Sequence, residues 1–410
     1  MQKLIRRIYL LSFVFSILIF MLLGYAQMSI PDEINLSNST DISSNAIFTY
    51  VISNSKEKDG NEILSHTSSN YEMNIKLFDA IPVKKTKVTM NKRKYVTISG
   101  KVFGIRMYTD GVMIVSNQQI ETDGDSISPG KEAGLKPGDI IKQVNDKKID
   151  SSSALSEAVR SSNGKSIKIV YLRDGKEKNA TIKPVVSKLD GKYKVGLWVR
   201  DSTAGIGTMT FYDRDTGMFG GLGHAVCDVD TGFEMPISNG DAVEAQVKGC
   251  YKGKSGTPGE LCGVFSGGSI GELLYNGNTG IYGMLNDYDK NAPVFPVALS
   301  SEIQTGKAQI LSTVDSGNPK YYDIEIVKIF KSGNNVRNMV IKVKDEKLLA
   351  VTGGIVQGMS GTPIIQNGML VGAVTHVFIN DPTQGYAIFA ENMLETAQSV
   401  ADNNGLKEVS

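Results

Sequence analysis

Between residues 190 and 400 glycine recurs every few positions, with β-branched and aromatic residues alternating between, and no helical periodicity until Ala390–Val400. Such a stretch cannot build a helical bundle. A glycine inside a helix costs about 1 kcal/mol relative to alanine, whereas tight turns between short strands use its freedom directly. The chain holds 43 Gly against 12 Pro, so the expectation is a mainly β protein. With 41% hydrophobic and 21% charged residues it can bury real cores. Its 410 residues suit two or three domains. Forty-four basic and 43 acidic residues balance to +1, so no global basic field argues for nucleic acid.

Lys3, Arg6 and Arg7 precede an apolar stretch from Ile8 to Tyr25, which as a helix would rise roughly 27 Å. Positive charge ahead of the stretch keeps the N-terminus in the cytoplasm and places the bulk of the chain outside it. A signal anchor over residues 1–25 is preferred to a cleaved signal peptide, because Gly24-Tyr25-Ala26-Gln27 is a poor cleavage site. Residues 26–94 read as a Ser/Asn-rich tether holding one strand, Ile47–Ile52, and a basic cluster from Lys84 to Lys94 on solvated strand faces.

Residues 95–187 read as one module. The run Ala133-Gly134-Leu135-Lys136-Pro137-Gly138-Asp139-Ile140-Ile141 leads to Val144-Asn145. A helix-like Ser151–Ser161 and two strands joined at Asp174-Gly175 complete it. This resembles a PDZ domain of the kind attached to bacterial proteases. The resemblance implies that Val102, Phe103, Gly104 and Ile105 form the carboxylate-binding loop, beside which an extended peptide would add as a strand.

Residues 190–400 read as a β-barrel or pair of barrels. Here Gly358-Met359-Ser360-Gly361-Thr362-Pro363 runs into an apolar strand, an Asn367-Gly368 turn and a second apolar strand. Glycines let the backbone turn sharply, so that the amides of Gly358 and Ser360 can aim at one oxyanion. A strand after the serine suits a chymotrypsin-like nucleophile loop and not an α/β-hydrolase elbow. The chain has three histidines. His66 lies in the tether and His376 reads as a packed strand residue. His224, ending a strand amid glycines, is the candidate base. Asp228 and Asp230 are local candidates to orient it. Cys250 and Cys262 flank a glycine-rich turn and could pair, but free cysteines are preferred; with Cys227 they fit no ordinary zinc spacing. No metal or cofactor is expected.

The chain resembles the stage IV sporulation protein B peptidases, a serine-peptidase family grouped with chymotrypsin-like enzymes. The resemblance is carried by Gly205–Phe211, Leu222-Gly223-His224, Gly353–Gly361, Gly372–Phe378 and Asn380–Thr383. It implies Ser360 as nucleophile, His224 as base and Asp345, only fifteen residues before the serine, as acid. Thr362 stands where many members carry Ser and keeps the hydroxyl. The resemblance also implies a fold of signal anchor, PDZ domain and chymotrypsin-like β-barrel peptidase domain. It implies self-cleavage in trans and a role in sporulation between the forespore membranes. The substrate it implies is an inhibitory membrane protein restraining the intramembrane protease of pro-sigma-K. A catalytically inactive peptide-binding scaffold is the alternative function.

Overall fold

The computed structural model describes residues 2–30, 33–36, 48–54, 68–78, 80–91, 93–330 and 336–406. It divides into two compact units, residues 1–94 with 301–303, and the rest. His66 and most of the Ser/Asn-rich stretches lie outside the described residues.

The first unit holds the helix Gln2–Ser29, along which Tyr9, Leu10, Phe13 and Phe20 are exposed. Side chains are described without a break only from Tyr9 to Tyr25, and among the described residues no helix is long and apolar enough to cross a membrane. What sequence suggested as a tether with one strand contains a four-stranded sheet, ordered Glu33–Leu36, Ile81–Asn91, Ser68–Leu77, Phe48–Asn54. The period of two explains it. Met73, Ile75 and Leu77 face inward with Thr86 and Val88, while Lys85 and Lys87 between them face water.

In the second unit two barrels close. The first runs Val102–Asn117, Ile237–Tyr251, Glu260–Gly277, Gly280–Leu285, Met218–Gly221 and Leu197–Tyr212, which pairs back onto Val102–Asn117. Phe103, Ile105, Met209, Phe219, Leu273 and Ile281 fill it, with Phe103 edge-on to Phe219 at 5.8 Å between ring centroids. The second runs Gly306–Ser312, Lys320–Ile329, Met339–Val343, Asp381–Phe389, Met369–Phe378 and Pro363–Gln366. The expected Asn-Gly turn joins its last hairpin, both residues at positive φ (53° and 75°). The closing helix Ala390–Asn403 buries Met393, Leu394, Ala397, Val400 and Ala401 on one stripe.

The module of residues 95–187 shares two strands with the first barrel. The strands Val102–Asn117 and Leu197–Tyr212 pair along most of their length, their near halves in the first barrel and their far halves in the PDZ core. The PDZ unit is therefore inserted at the far end of a barrel ladder. Its core gathers Ile114, Leu135, Ile141, Val144, Leu155, Val159 and Ile169. Asp139 of the Pro-Gly-Asp run is buried and held by both Nε and Nη2 of Arg173, at 2.7 and 2.6 Å. That gives the aspartate of this run a structural reason for its identity.

Candidate active site

The loop carrying Ser360 is built around its glycines. Helix Glu346–Thr352 ends at Gly353 in the left-handed region (φ 73°), and Gly358 and Gly361 both stand at φ 92°. A Cβ on Gly361 would run into the Thr208 carbonyl and the Leu222 amide, so this glycine lets two chains touch. Thr208 and Thr210, two apart and so on one face of their strand, grip the loop's carbonyls. Thr208 donates its amide to the Ser360 carbonyl and its hydroxyl to the Gly358 carbonyl, each at 2.9 Å, and the Thr210 hydroxyl donates to the Gly361 carbonyl at 2.7 Å. With those carbonyls tied back, the amides of Gly358 and Ser360 find no acceptor among the described residues. Two unspent donors flanking a serine are what an oxyanion requires.

His224 comes directly after a strained corner. Leu222, buried and not glycine, stands at φ 65°, and Gly223 at φ 70°. The loop beyond is pinned by Asn276, whose amide bonds both backbone groups of Val226 and the Met235 carbonyl. His224 Nδ1 lies 2.8 Å from the Ala225 carbonyl. A carbonyl only accepts, so Nδ1 carries the proton and Nε2 keeps its lone pair, the tautomer of a general base.

One dipeptide touches both partners. A β-bulge between Val374 and His376 turns the Thr375 carbonyl toward the loop, where it accepts the Ser360 hydroxyl at 2.8 Å. The next ring, His376, packs against His224 with centroids 4.8 Å apart. In this arrangement the Ser360 hydroxyl donates to the Thr375 carbonyl and not to His224.

The acids are placed otherwise than expected. Asp345 is the N-cap of helix Glu346–Thr352, accepting the amides of Lys347 and Leu348 at 2.9 and 3.0 Å, and it does not bond His224. Asp228 is buried under Thr231 and pairs with Arg200, which also holds Asp230 at 2.8 Å. Neither meets the imidazole.

Val102–Ile105, expected as the carboxylate-binding loop, form a barrel strand instead. Val102, Phe103, Gly104 and Ile105 lie mid-barrel, paired to Gly205–Thr208 on one edge and to Ala242–Glu244 on the other. No edge is left for a peptide, and a side chain on Gly104 would strike Val243 and Phe265 at 2.5 Å. The helix Ser152–Ser161 instead faces Val195–Val199, and Leu155, Val159, Leu197 and Val199 line a cleft of about 700 Å³. Cys227, Cys250 and Cys262 are free thiols, and among the described residues no cluster could hold a metal ion.

Burial pushes the His224 imidazole below its ordinary 6.5, against a smaller upward pull from the Ala225 carbonyl. Burial, then neighbouring His224 and Arg337, takes His376 down to about 4. A base must be neutral to act, so activity rises with pH through its pKa. Because that pKa is lowered, the acid limb of Ser360 modification by a fluorophosphonate should be centred below pH 6.5. Rates measured from about pH 5 to 8 check this; an acid limb centred at or above 6.5 contradicts it.

Thr208, Thr210, Asn276 and Thr375 escaped the sequence reading. Only the Thr-x-Thr spacing carried a signal, since period two puts both hydroxyls on one face.

Residues 191–394 match the SpoIVB peptidase S55 family and residues 101–183 a PDZ domain. Over 76 residues the chain is 40% identical to the serine protease Do-like HtrA of Lactococcus lactis, covering 18% of this chain and 17% of that protein. Over 92 residues it is 34% identical to LL2128 of the same organism, whose name places it among zinc metalloproteases; the match covers 22% of this chain and 20% of LL2128. The chain thus spans about a fifth of the length of the curated relatives it matches. Among solved structures, the HtrA-type protease AlgW with a decapeptide is 16% identical with a TM-score of 0.31, over 50% of this chain and 55% of that one. The Rv3671c protease of M. tuberculosis is 16% identical at 0.29, over 51% and 77%. The match over residues 191–394, with the PDZ match over residues 101–183, places this chain in the SpoIVB peptidase S55 family.

Proposed function

We propose that Ser360 is the nucleophile of this endopeptidase, His224 its general base, and the amides of Gly358 and Ser360 its oxyanion hole. The observation that carries the reading is that these two amides have no acceptor among the described residues, on a loop whose carbonyls Thr208 and Thr210 hold. Acylation then runs in the ordinary sense. Ser360 Oγ attacks the scissile carbonyl and His224 Nε2 takes its proton. The proton passes to the leaving amine, and water reverses the sequence. Covalent labelling of the full chain by a fluorophosphonate, with the tagged peptide mapped to Ser360, tests the reading and separates it from an inactive scaffold. Labelling elsewhere, or none, refutes it.

The biological role extends the family's name. The enzyme acts in sporulation signalling outside the mother-cell cytoplasm, cuts itself in its N-terminal region, and cleaves a regulatory membrane protein to release pro-sigma-K processing. Peptides would dock in the PDZ unit at the cleft beside Leu197–Val199, where the amides of Val195 and Gly196 have no acceptor among the described residues. The helix Gln2–Ser29, with its exposed Tyr9, Leu10, Phe13 and Phe20, is the anchor. The full chain should sediment with membranes through carbonate washing while a chain starting at residue 33 stays in the supernatant. Full-length protein in the carbonate supernatant refutes the anchor.

A further inference from the structure

We propose that the N-terminal sheet carries, at the outer end of the anchor, a binding site for the phosphate of an anionic phospholipid headgroup, formed by Lys76 and Lys85. This rests on reading Gln2–Ser29 as a membrane anchor. Lys84 ties the sheet to that helix, its Nζ donating to the carbonyls of Gln27, at 3.4 Å, and Ile30. Carbonyls at the end of a helix have no amide ahead to pair with, and a lysine there also suits the negative end of the helix dipole.

The helix gives this junction a depth. Tyr9 and Tyr25 are both exposed, and the helix between them sets them roughly 24 Å apart. A hydrocarbon core is roughly 30 Å thick, and membrane spans carry tyrosines at its two edges. Gln27 and Ile30, just beyond Tyr25, therefore lie at headgroup level, and Lys84 holds the sheet there.

Beside Lys84 the hairpin of Ser68–Leu77 and Ile81–Asn91 forms a pocket of about 390 Å³, whose lining includes Asn74, Lys76, Pro82, Val83 and Lys85. A bulge shapes it: Ile75 pairs with Lys84 and Lys76 with Pro82, so the register passes over Val83. Three lysines and no carboxylate line the pocket. Lys87, farther along the strand, stands opposite Glu72, but Lys85 stands opposite Asn74 and Lys76 opposite Pro82. Among the described residues neither Lys76 nor Lys85 has an ion pair. Like charges gathered without an acid repel, and a bound phosphate relieves that repulsion. Pro82 and Val83 add an apolar wall. The glycerol and first acyl carbons of a lipid would meet that wall, whereas free phosphate has no use for it.

The test incorporates the full chain into nanodiscs of phosphatidylcholine, with and without phosphatidylglycerol, and reads the acetylation rate of each lysine by peptide mapping. Lys76 and Lys85 should react at least about fivefold more slowly in the phosphatidylglycerol discs, while Lys147, exposed on the PDZ unit, keeps its rate. The double variant Lys76→Gln/Lys85→Gln should keep the wild-type melting curve. In native mass spectrometry of the detergent-solubilised full chain it should retain phosphatidylglycerol at least about tenfold less well. Equal acetylation rates in the two kinds of disc overturn the inference, and so does unchanged lipid retention by the variant. Inorganic phosphate added to phosphatidylcholine discs separates the two sources of the anion. Protection of both lysines by phosphate, to the same extent, makes this a site for the free ion and overturns the lipid. A chain that enters neither kind of disc refutes the anchor and this inference with it. A chain that enters both with Lys76 and Lys85 unprotected refutes this inference alone.

Discussion

Ser360→Ala should reduce labelling and self-cleavage to background, a loss of about 10⁴-fold or more, while the melting curve stays where it was. The hydroxyl's one hydrogen bond in the resting state is to the Thr375 carbonyl, and its removal opens no cavity and disturbs no core residue. His224→Ala should fall to the same floor, and the double variant should fall no further. Nucleophile and base act as one unit, so the second deletion removes nothing that still works. The residual rate would come from the Gly358 and Ser360 amides alone. Self-cleavage at the wild-type rate in Ser360→Ala would place the nucleophile elsewhere, with the free thiol of Cys227 the next to test.

Gly361→Ala should be nearly as damaging to catalysis, and unlike Ser360→Ala it should also destabilise the fold. The position is left-handed, and the new methyl would overlap the Thr208 carbonyl and Leu222 backbone. Relief requires the loop to lift from Leu197–Tyr212, breaking the Thr208–Ser360 and Thr210–Gly361 hydrogen bonds. We expect at least a hundredfold loss of labelling rate and a stability loss of about 2–4 kcal/mol, read from chemical denaturation. Gly368→Ala is the matched control. Gly368 has a similar left-handed φ of 75°, but nothing lies within 4 Å of where its Cβ would sit. It should cost only about 1 kcal/mol of backbone strain and leave labelling intact. Equal behaviour of the two variants would mean that φ alone matters, and that the close approach at Gly361 has no part in shaping the site.

The parts legible in sequence were those whose physics is local. An Asn-Gly pair between two apolar runs is a hairpin wherever it occurs, and it delivered Pro363–Gln366 and Met369–Phe378 in register. The Ala133–Asn145 run carried its own turns, at Gly134 and Gly138, so the PDZ core could be recognised from it. The sheet built on Ile81–Asn91 was missed because that strand alternates lysine with threonine and valine. A period of two built on Lys85, Thr86, Lys87 and Val88 looks like a solvated surface until its partner strand is known.

The errors share one cause. Val102–Ile105 has the apolar-glycine pattern of a carboxylate loop and also that of a barrel strand; pairing with segments more than a hundred residues away decides between them. The resemblance placed an acid on Asp345, which also carries the local signal of an N-cap, Asp before Glu346-Lys347-Leu348, and the cap bonds are the ones formed in this structure. By itself the sequence determined the β class, the hairpin behind the serine and the two residue types that can do acyl transfer, because turns, strand periods and side-chain chemistry need only neighbours in the chain. Tertiary structure alone decided that the PDZ unit hangs from a barrel ladder, that Thr208 and Thr210 grip the carbonyls of the Ser360 loop, and that His224 meets a carbonyl and a second imidazole. Those outcomes depend on which distant segments share a sheet, and hydrogen-bond partners across a barrel leave no mark on sequence spacing.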